Sequence, residues 1–177
     1  MERKTPCEIW QVLAENLWTL PRMQDAVQTC ADAVRRSKKV FVAGCGRSGL
    51  VSRCFAMRLR HLGIESYVVG EAATPPAGNG DLFIGVSCSG GHSSLCALAA
   101  TARRLGCRVL AVTAQGKSPL ARTAHTVLVV PLPRSVQFGN SLFEQAVLLF
   151  FDAAALLLQR RKRLPSSQMW RRHANIE

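Results

Sequence analysis

The stretch from Lys39 to Gly49, KVFVAGCGRSG, constrains this chain more than any other. Val40, Phe41, Val42 and Ala43 run straight into three glycines, Gly44, Gly46 and Gly49, and a helical pattern carries on through Met57 and Leu59. That order predicts a buried strand, a tight turn and a helix N-terminus. Glycines let the backbone approach a ligand closely, and the first N–H groups of a helix have no intrahelical partner, so such a junction binds anions. The spacing Gly44-x-Gly46-x-x-Gly49 also satisfies the dinucleotide fingerprint, with the acidic Glu71 about twenty residues further on. The loop by itself leaves open whether it holds a dinucleotide or a smaller phosphate.

The remaining pattern alternates. Thr5-Pro6-Cys7-Glu8 reads as a capping box with proline at the first helical position, and Ile9, Val12, Leu13, Asn16, Leu17 and Leu20 follow at helical spacing. A second helix starts near Pro21 with Met23, Val27, Cys30 and Val34 inward. Apolar positions on this pair exceed what one face of a small sheet needs, which points to a partner subunit. After the glycine loop a helix runs to about residue 62 and Gly63 stops it. Strands at 66–69, 81–87, 107–113 and 126–130 alternate with a Gly- and Pro-rich loop at 70–80, a helix ending near residue 105 and a short helix opened by Ser118-Pro119. The last long helix opens at Ser141 and is almost wholly apolar to Leu158. Glu144, Gln145 and Asp152 interrupt it and it is short for a bilayer, so it reads as buried, either in the core or against another subunit.

The expected fold is therefore α/β: a three-layer αβα sandwich around a five-stranded parallel sheet of the flavodoxin-like kind, with right-handed crossovers. A single domain is expected over residues 1–177, with helices at 1–38 ahead of the sheet and a basic tail at 159–177. With 177 residues and 48% hydrophobic content, the chain can build a real core. Its seven cysteines are odd in number and form no CxxC pair. They read as reduced and structural, with no metal and no cofactor implied. Nothing near the N-terminus has the layout of a secretory leader, so a cytoplasmic location is expected.

The formal net charge of +12 has two readings. A basic tail could meet nucleic acid, but no aromatic residues are interleaved with it and no nucleic-acid-binding motif accompanies it. A positive field equally concentrates phosphorylated metabolites. The second small-residue turn, Ser87-Cys88-Ser89-Gly90-Gly91, decides between them. It follows the third strand as the glycine loop follows the first. In a doubly wound sheet, ligands bind outside those strand ends where the strand order reverses. A dinucleotide needs one such loop. Two loops with hydroxyls from Ser48, Ser87 and Ser89 close better on one phosphomonoester.

Together these motifs, Gly-x-Gly-Arg-Ser-Gly after the first strand and Ser-x-Ser-Gly after the third, resemble the sugar isomerase (SIS) domain. Further strings cover essentially the whole chain. Phe55-Ala56-Met57-Arg58-Leu59, His61-Leu62-Gly63, Tyr67-Val68-Val69-Gly70-Glu71, Thr74-Pro75, Ser141-Leu142-Phe143-Glu144-Gln145 and the closing His173-Ala174-Asn175-Ile176-Glu177 are similar to the 6-phospho-3-hexuloisomerase family. The resemblance implies interconversion of D-arabino-hex-3-ulose 6-phosphate and D-fructose 6-phosphate through an enediol, without metal, in the ribulose monophosphate route of formaldehyde fixation. It also implies a homotetramer or dimer of dimers, with neither nucleic acid nor membrane as a partner. The alternatives it leaves are another SIS-type sugar-phosphate isomerase, or a non-catalytic regulator that binds a sugar phosphate.

Carried onto this chain, the resemblance makes Glu144 the proton acceptor and Ser48, Ser87 and Ser89 the phosphate hydroxyls. Cys88, Gly90, Gly91 and His92 complete the substrate-binding turn. Ser141-x-x-Glu144 is also a capping box, which is the competing role for that carboxylate. Arg47 could neutralise the phosphate or the enediolate, or be a solvated helix-start arginine. His61 is a second catalytic candidate, a proton shuttle only if a neighbouring subunit brings it to the site; otherwise it is an interface or surface residue. Two departures stand out. Ser89-Gly90-Gly91-His92 replaces the family's Ser-Gly-Glu-Thr, so a hydroxyl is missing that His92 or Ser93 would have to supply. Gln137-Phe138-Gly139-Asn140 replaces Gln-Pro-Met-Gly after a shortened connection, so the wall beside Glu144 differs.

Overall fold

A computed structural model describes residues 7–176. Five parallel strands, β1 (Val40–Gly44), β2 (Ser66–Val68), β3 (Leu82–Val86), β4 (Arg108–Thr113) and β5 (Thr126–Val129), form one sheet in the order β2-β1-β3-β4-β5. The strand order reverses between β1 and β3, so the crevice lies where the two small-residue loops leave the sheet. The five parallel strands agree with the sequence reading. β2, β3, β4 and β5 are each a residue or two shorter than the runs read from the sequence, while β1 extends through Gly44.

Alternation along the strands sorts the core into two layers. Val40, Val42, Ile84, Val86, Leu110 and Val112 face one side and meet Phe55, Phe143, Phe150 and Phe151. Those aromatics come from α3 (Gly46–His61) and α6 (Ser141–Arg161), with α2 (Gln24–Arg35) closing the layer through Cys30, Ala31 and Val34. Phe41, Ala43, Phe83, Val109 and Ala111 face the other side and meet Leu95 and Ala99 of α4 (Ser93–Arg104) and Leu120 of α5 (Pro119–Thr123). Phe55 and Phe151 stack with ring centroids 4.1 Å apart, locking α3 to α6.

Three elements depart from the sequence reading. Pro21 is the second residue of a short 3-10 turn, Leu20–Met23, and the α2 helix proper starts only at Gln24. The last long helix continues past Leu158 to Arg161; its 21 residues, with an 18-residue stretch of mean hydropathy 1.7, are by length and composition enough to cross a membrane. Length therefore does not decide its place. Its burial does: ten of its residues are packed inside, against α2, α3 and the sheet. The polar-looking tail hides a further short helix, α7 (Ser166–Trp170), which packs back on α3. The proposed capping residues Thr5 and Pro6 lie outside the described residues.

The first helix, α1 (Glu8–Thr19), is turned the unexpected way. Its buried residues are polar, Asn16 and Thr19, while Ile9, Trp10 and Leu17 are each more than 65% exposed. Polar residues therefore join α1 to the rest of this chain, and its apolar stripe faces out.

Candidate active site at the switch point

The glycine loop is built as the spacing predicts, and each glycine has its own reason. A Cβ on Gly49 would lie 2.6 Å from the Gly44 carbonyl oxygen, and one on Gly44 would lie 2.9 Å from the Gly49 nitrogen. These two allow strand and helix to touch. Gly46 has open space around it but adopts φ +57°, a conformation that side chains disfavour. Ser48 is consequently buried in the first turn of α3, and Arg47 projects beside it with its side chain mostly exposed.

The loop after β3 is held from below. The Cys88 carbonyl accepts from the Ala114 nitrogen and the Thr113 hydroxyl, both at 3.0 Å. The Gly90 carbonyl accepts from the Leu120 nitrogen, also at 3.0 Å. Gly90 takes φ +61°, and a Cβ there would collide with Ser118, whose hydroxyl caps α5 by accepting from the Ala121 nitrogen. Ser87 Oγ accepts the Gly90 N–H at 3.1 Å, and Ser89 Oγ accepts the Gly91 N–H at 3.3 Å. A hydroxyl that accepts still has its own O–H to donate, so both serines remain donors for an anion above the loop.

Glu144 joins the two loops. It is 8% exposed, sits in the first turn of α6 and forms an ion pair with the Nε–H of Arg47. It also lies close to the loop after β3: burial pushes the Cys88 thiol up, and the Glu144 charge pushes it further. The capping alternative is not realised. Asn140 occupies the cap position without a side-chain bond, while Ser141 sits inside the helix and its hydroxyl donates to the Phe138 carbonyl at 2.9 Å. Asp and Glu are rarely buried without partners, and this one is paired with a cation from the anion loop.

The structure thus brings Arg47, Ser48, Ser87, Cys88, Ser89, Gly90, Gly91 and Glu144 to one crevice. His92 lies at its edge and its Nδ1 is 3.1 Å from Ser94 Oγ. Ser94 is the residue that sequence reasoning missed. Its hydroxyl is also 3.8 Å from Cys45 Sγ, so it bridges the two loops. A pair of serines at the start of α4 was the available signal. His61 is not in this crevice. It ends α3 fourteen positions after Arg47, about 21 Å along the helix axis at 1.5 Å per residue. There its ring stacks on His173 at 4.9 Å between centroids, and Arg172 donates to its carbonyl at 3.1 Å. Glu71, the acidic residue of the dinucleotide reading, is paired with Arg53 at 2.9 Å on the surface. Among the described residues no three His, Cys, Asp or Glu side chains cluster to hold a metal ion.

The chain is similar to known proteins over most of its length. The chain is 41% identical to 3-hexulose-6-phosphate isomerase of Bacillus subtilis over 156 residues, covering 83% of this chain and 84% of the relative. It is 37% identical to the Mycobacterium gastri protein of the same name, covering 86% and 81%. A solved structure from Methanococcus jannaschii, for which a 3-hexulose-6-phosphate isomerase function was inferred, superposes with a TM-score of 0.87 at 30% identity, covering 96% of this chain and 99% of that one. Residues 33–157, which span the glycine loop, the serine loop and Glu144, match the SIS domain, and this chain belongs to that family.

Proposed function

We propose that this protein is an isomerase that interconverts D-arabino-hex-3-ulose 6-phosphate and D-fructose 6-phosphate. The observation that carries the reading is the buried Glu144 carboxylate, set between a glycine loop and a serine loop at the switch point. The relatives named above supply the substrate class.

The reaction moves a carbonyl from C3 to C2. A base removes the C2 proton, electrons shift to form a 2,3-enediol, and the same proton or another is delivered to C3. Meanwhile O3 gains a proton and O2 loses one, so nothing is oxidised overall. Glu144 is the group we assign to C2 and C3. Arg47, now paired with that carboxylate, is the cation nearest to a developing enediolate oxygen, where stabilisation of charge counts most. The hydroxyls of Ser48, Ser87 and Ser89, with the N-terminus of α3, grip the phosphate and hold the sugar in register. Cys88 and the turn through Gly90, Gly91 and His92 form the floor and rim.

We further infer a homo-oligomer, a tetramer or dimer of dimers, joined in part through the outward apolar stripe of α1. Such an exposed stripe on one chain marks a surface that another covers. In that assembly His61 could serve only a neighbour's site. A cytoplasmic place in formaldehyde fixation suits this chemistry. The decisive experiment is a coupled assay for fructose 6-phosphate formed from hexulose 6-phosphate. Turnover of arabinose 5-phosphate instead, or binding without turnover, would overturn the substrate assignment.

A further inference from the structure

The connection between β5 and α6 delivers Glu144 to the crevice, yet it contains no regular structure from residue 131 to 140. Something else must hold it. Glu15 of α1 does: its carboxylate accepts the Ser135 hydroxyl at 2.7 Å, the Val136 N–H at 2.8 Å and Gln137 Nε2 at 2.7 Å. Gln137 passes the tie on, accepting Gln145 Nε2 at 2.8 Å, and Gln145 Oε1 accepts Asn16 Nδ2 at 2.8 Å. The circuit starts and ends on adjacent residues of α1 and passes through Gln145, the neighbour of Glu144.

We infer that Glu15 is a positioning residue for the reacting carboxylate, acting through Gln137 and the strap that ends at α6. The claim rests on Glu144 being the base. Two bonds carry the position from strap to base: the Ser141 hydroxyl donates to the Phe138 carbonyl, and the Glu144 N–H donates to the Asn140 carbonyl at 3.1 Å. Both carbonyls lie within three residues of Gln137. The inward polar face of α1 is explained at the same time, since that face serves the strap rather than the core. The Glu15 carboxyl is held below the usual carboxylate range: burial alone would raise it, but the Gln137, Val136 and Ser135 donors together outweigh burial. An acceptor-only, ionised group suits three converging donors.

Gln137→Glu sets a second carboxylate against Glu15, and Glu15→Gln removes the charge the strap's donors share. Joined in one chain, the two changes restore a donor facing an acceptor. A misplaced base costs rate while phosphate grip stays, so Gln137→Glu should lower kcat about ten- to hundredfold with KM within about twofold. The Glu15→Gln/Gln137→Glu double variant should recover kcat to within about threefold of wild type, a coupling that independent sites would not show. If both single variants keep wild-type kcat while only Tm falls, or if the double variant regains Tm but not kcat, the positioning role is overturned. Should Gln137→Glu fail to fold, Gln137→Ala, which removes both bonds without adding charge, is read the same way. Glu144→Gln assayed alongside separates the two claims. An active Glu144→Gln overturns the base and the positioning together, whereas an inactive Glu144→Gln beside a fully active Gln137→Glu overturns the positioning alone.

Discussion

Helix α3 carries a candidate functional residue at each end, and the two ends are built on different principles. Its start is local. Gly44, Gly46 and Gly49 set Arg47 and Ser48 in place through contacts within six residues, and a second loop and Glu144 close over them. Its end is assembled from afar. His61 is buried under His173, more than a hundred residues later, and Arg172 and Lys162 donate to the His61 and Leu62 carbonyls. Because a helix is rigid and rises 1.5 Å per residue, the two ends cannot share a site within one chain. One end gathers its groups within a single chain. The other needs the tail for its shape and a second copy for any part in the reaction.

The largest expected effect tests the near end. Glu144→Gln keeps the size and hydrogen-bonding reach of the side chain but cannot take a carbon-bound proton. Losing a general base typically costs on the order of 10²–10⁴ in rate, so kcat should collapse with little change in melting temperature. Full activity in that variant would remove the chemistry from this end of α3.

Next come the serines. On the proposed reading, Ser87→Ala and Ser89→Ala each remove a charge-assisted hydrogen bond to phosphate, worth about 1.5–3 kcal/mol, and should raise KM more than they lower kcat. Steady-state kinetics with unchanged KM in both variants would take the loop after β3 out of the phosphate site.

A smaller effect is expected where the comparison depends on assembly. Leu17→Asp puts a charge in the outward stripe of α1 and should weaken association about tenfold or more, read by light scattering across a dilution series. If a neighbour's His61 contributes, kcat per chain falls in step with molar mass. A monomeric wild-type protein at micromolar concentration would refute the oligomer and leave His61 purely structural.

The smallest effect concerns pH at the far end. Burial pushes the His61 imidazole down, and the His173 and Arg58 charges push it further. A folded value below the ordinary one, near 6.5, means that the unfolded chain binds the proton more readily. Stability from this contact is therefore whole above about pH 6.5 and fades as pH falls through the depressed folded value. Fluorescence of Trp170, whose ring lies 5.3 Å from that of His173, should report the tail loosening in a Trp10→Phe/Trp18→Phe background. No change between pH 7.5 and 5 would show that the stack does not couple to the proton.

Much of the near end was legible because its determinants are short-range. A glycine at φ +57°, a pair of glycines where strand meets helix and a Ser-Pro cap each leave a local mark, and strand alternation leaves another. These were enough for the parallel sheet and for the two loops at its switch point, whereas Glu144 as a candidate base came from the family resemblance. Their physical reason is steric and periodic, and neither depends on distant partners.

Tertiary structure alone decided the rest. Which way α1 turns could not be read from its apolar spacing, because the inward face is chosen by Glu15 and Asn16 meeting a strap some 120 residues away. That Glu144 pairs with Arg47, 97 positions earlier, could not be read from the capping-box pattern around it. His61 looked like one more residue of the same helix until the tail's own short helix folded over it. Hydrogen bonds and ion pairs form between whichever groups the completed fold sets within about 3 Å, and no local pattern along the chain records that choice.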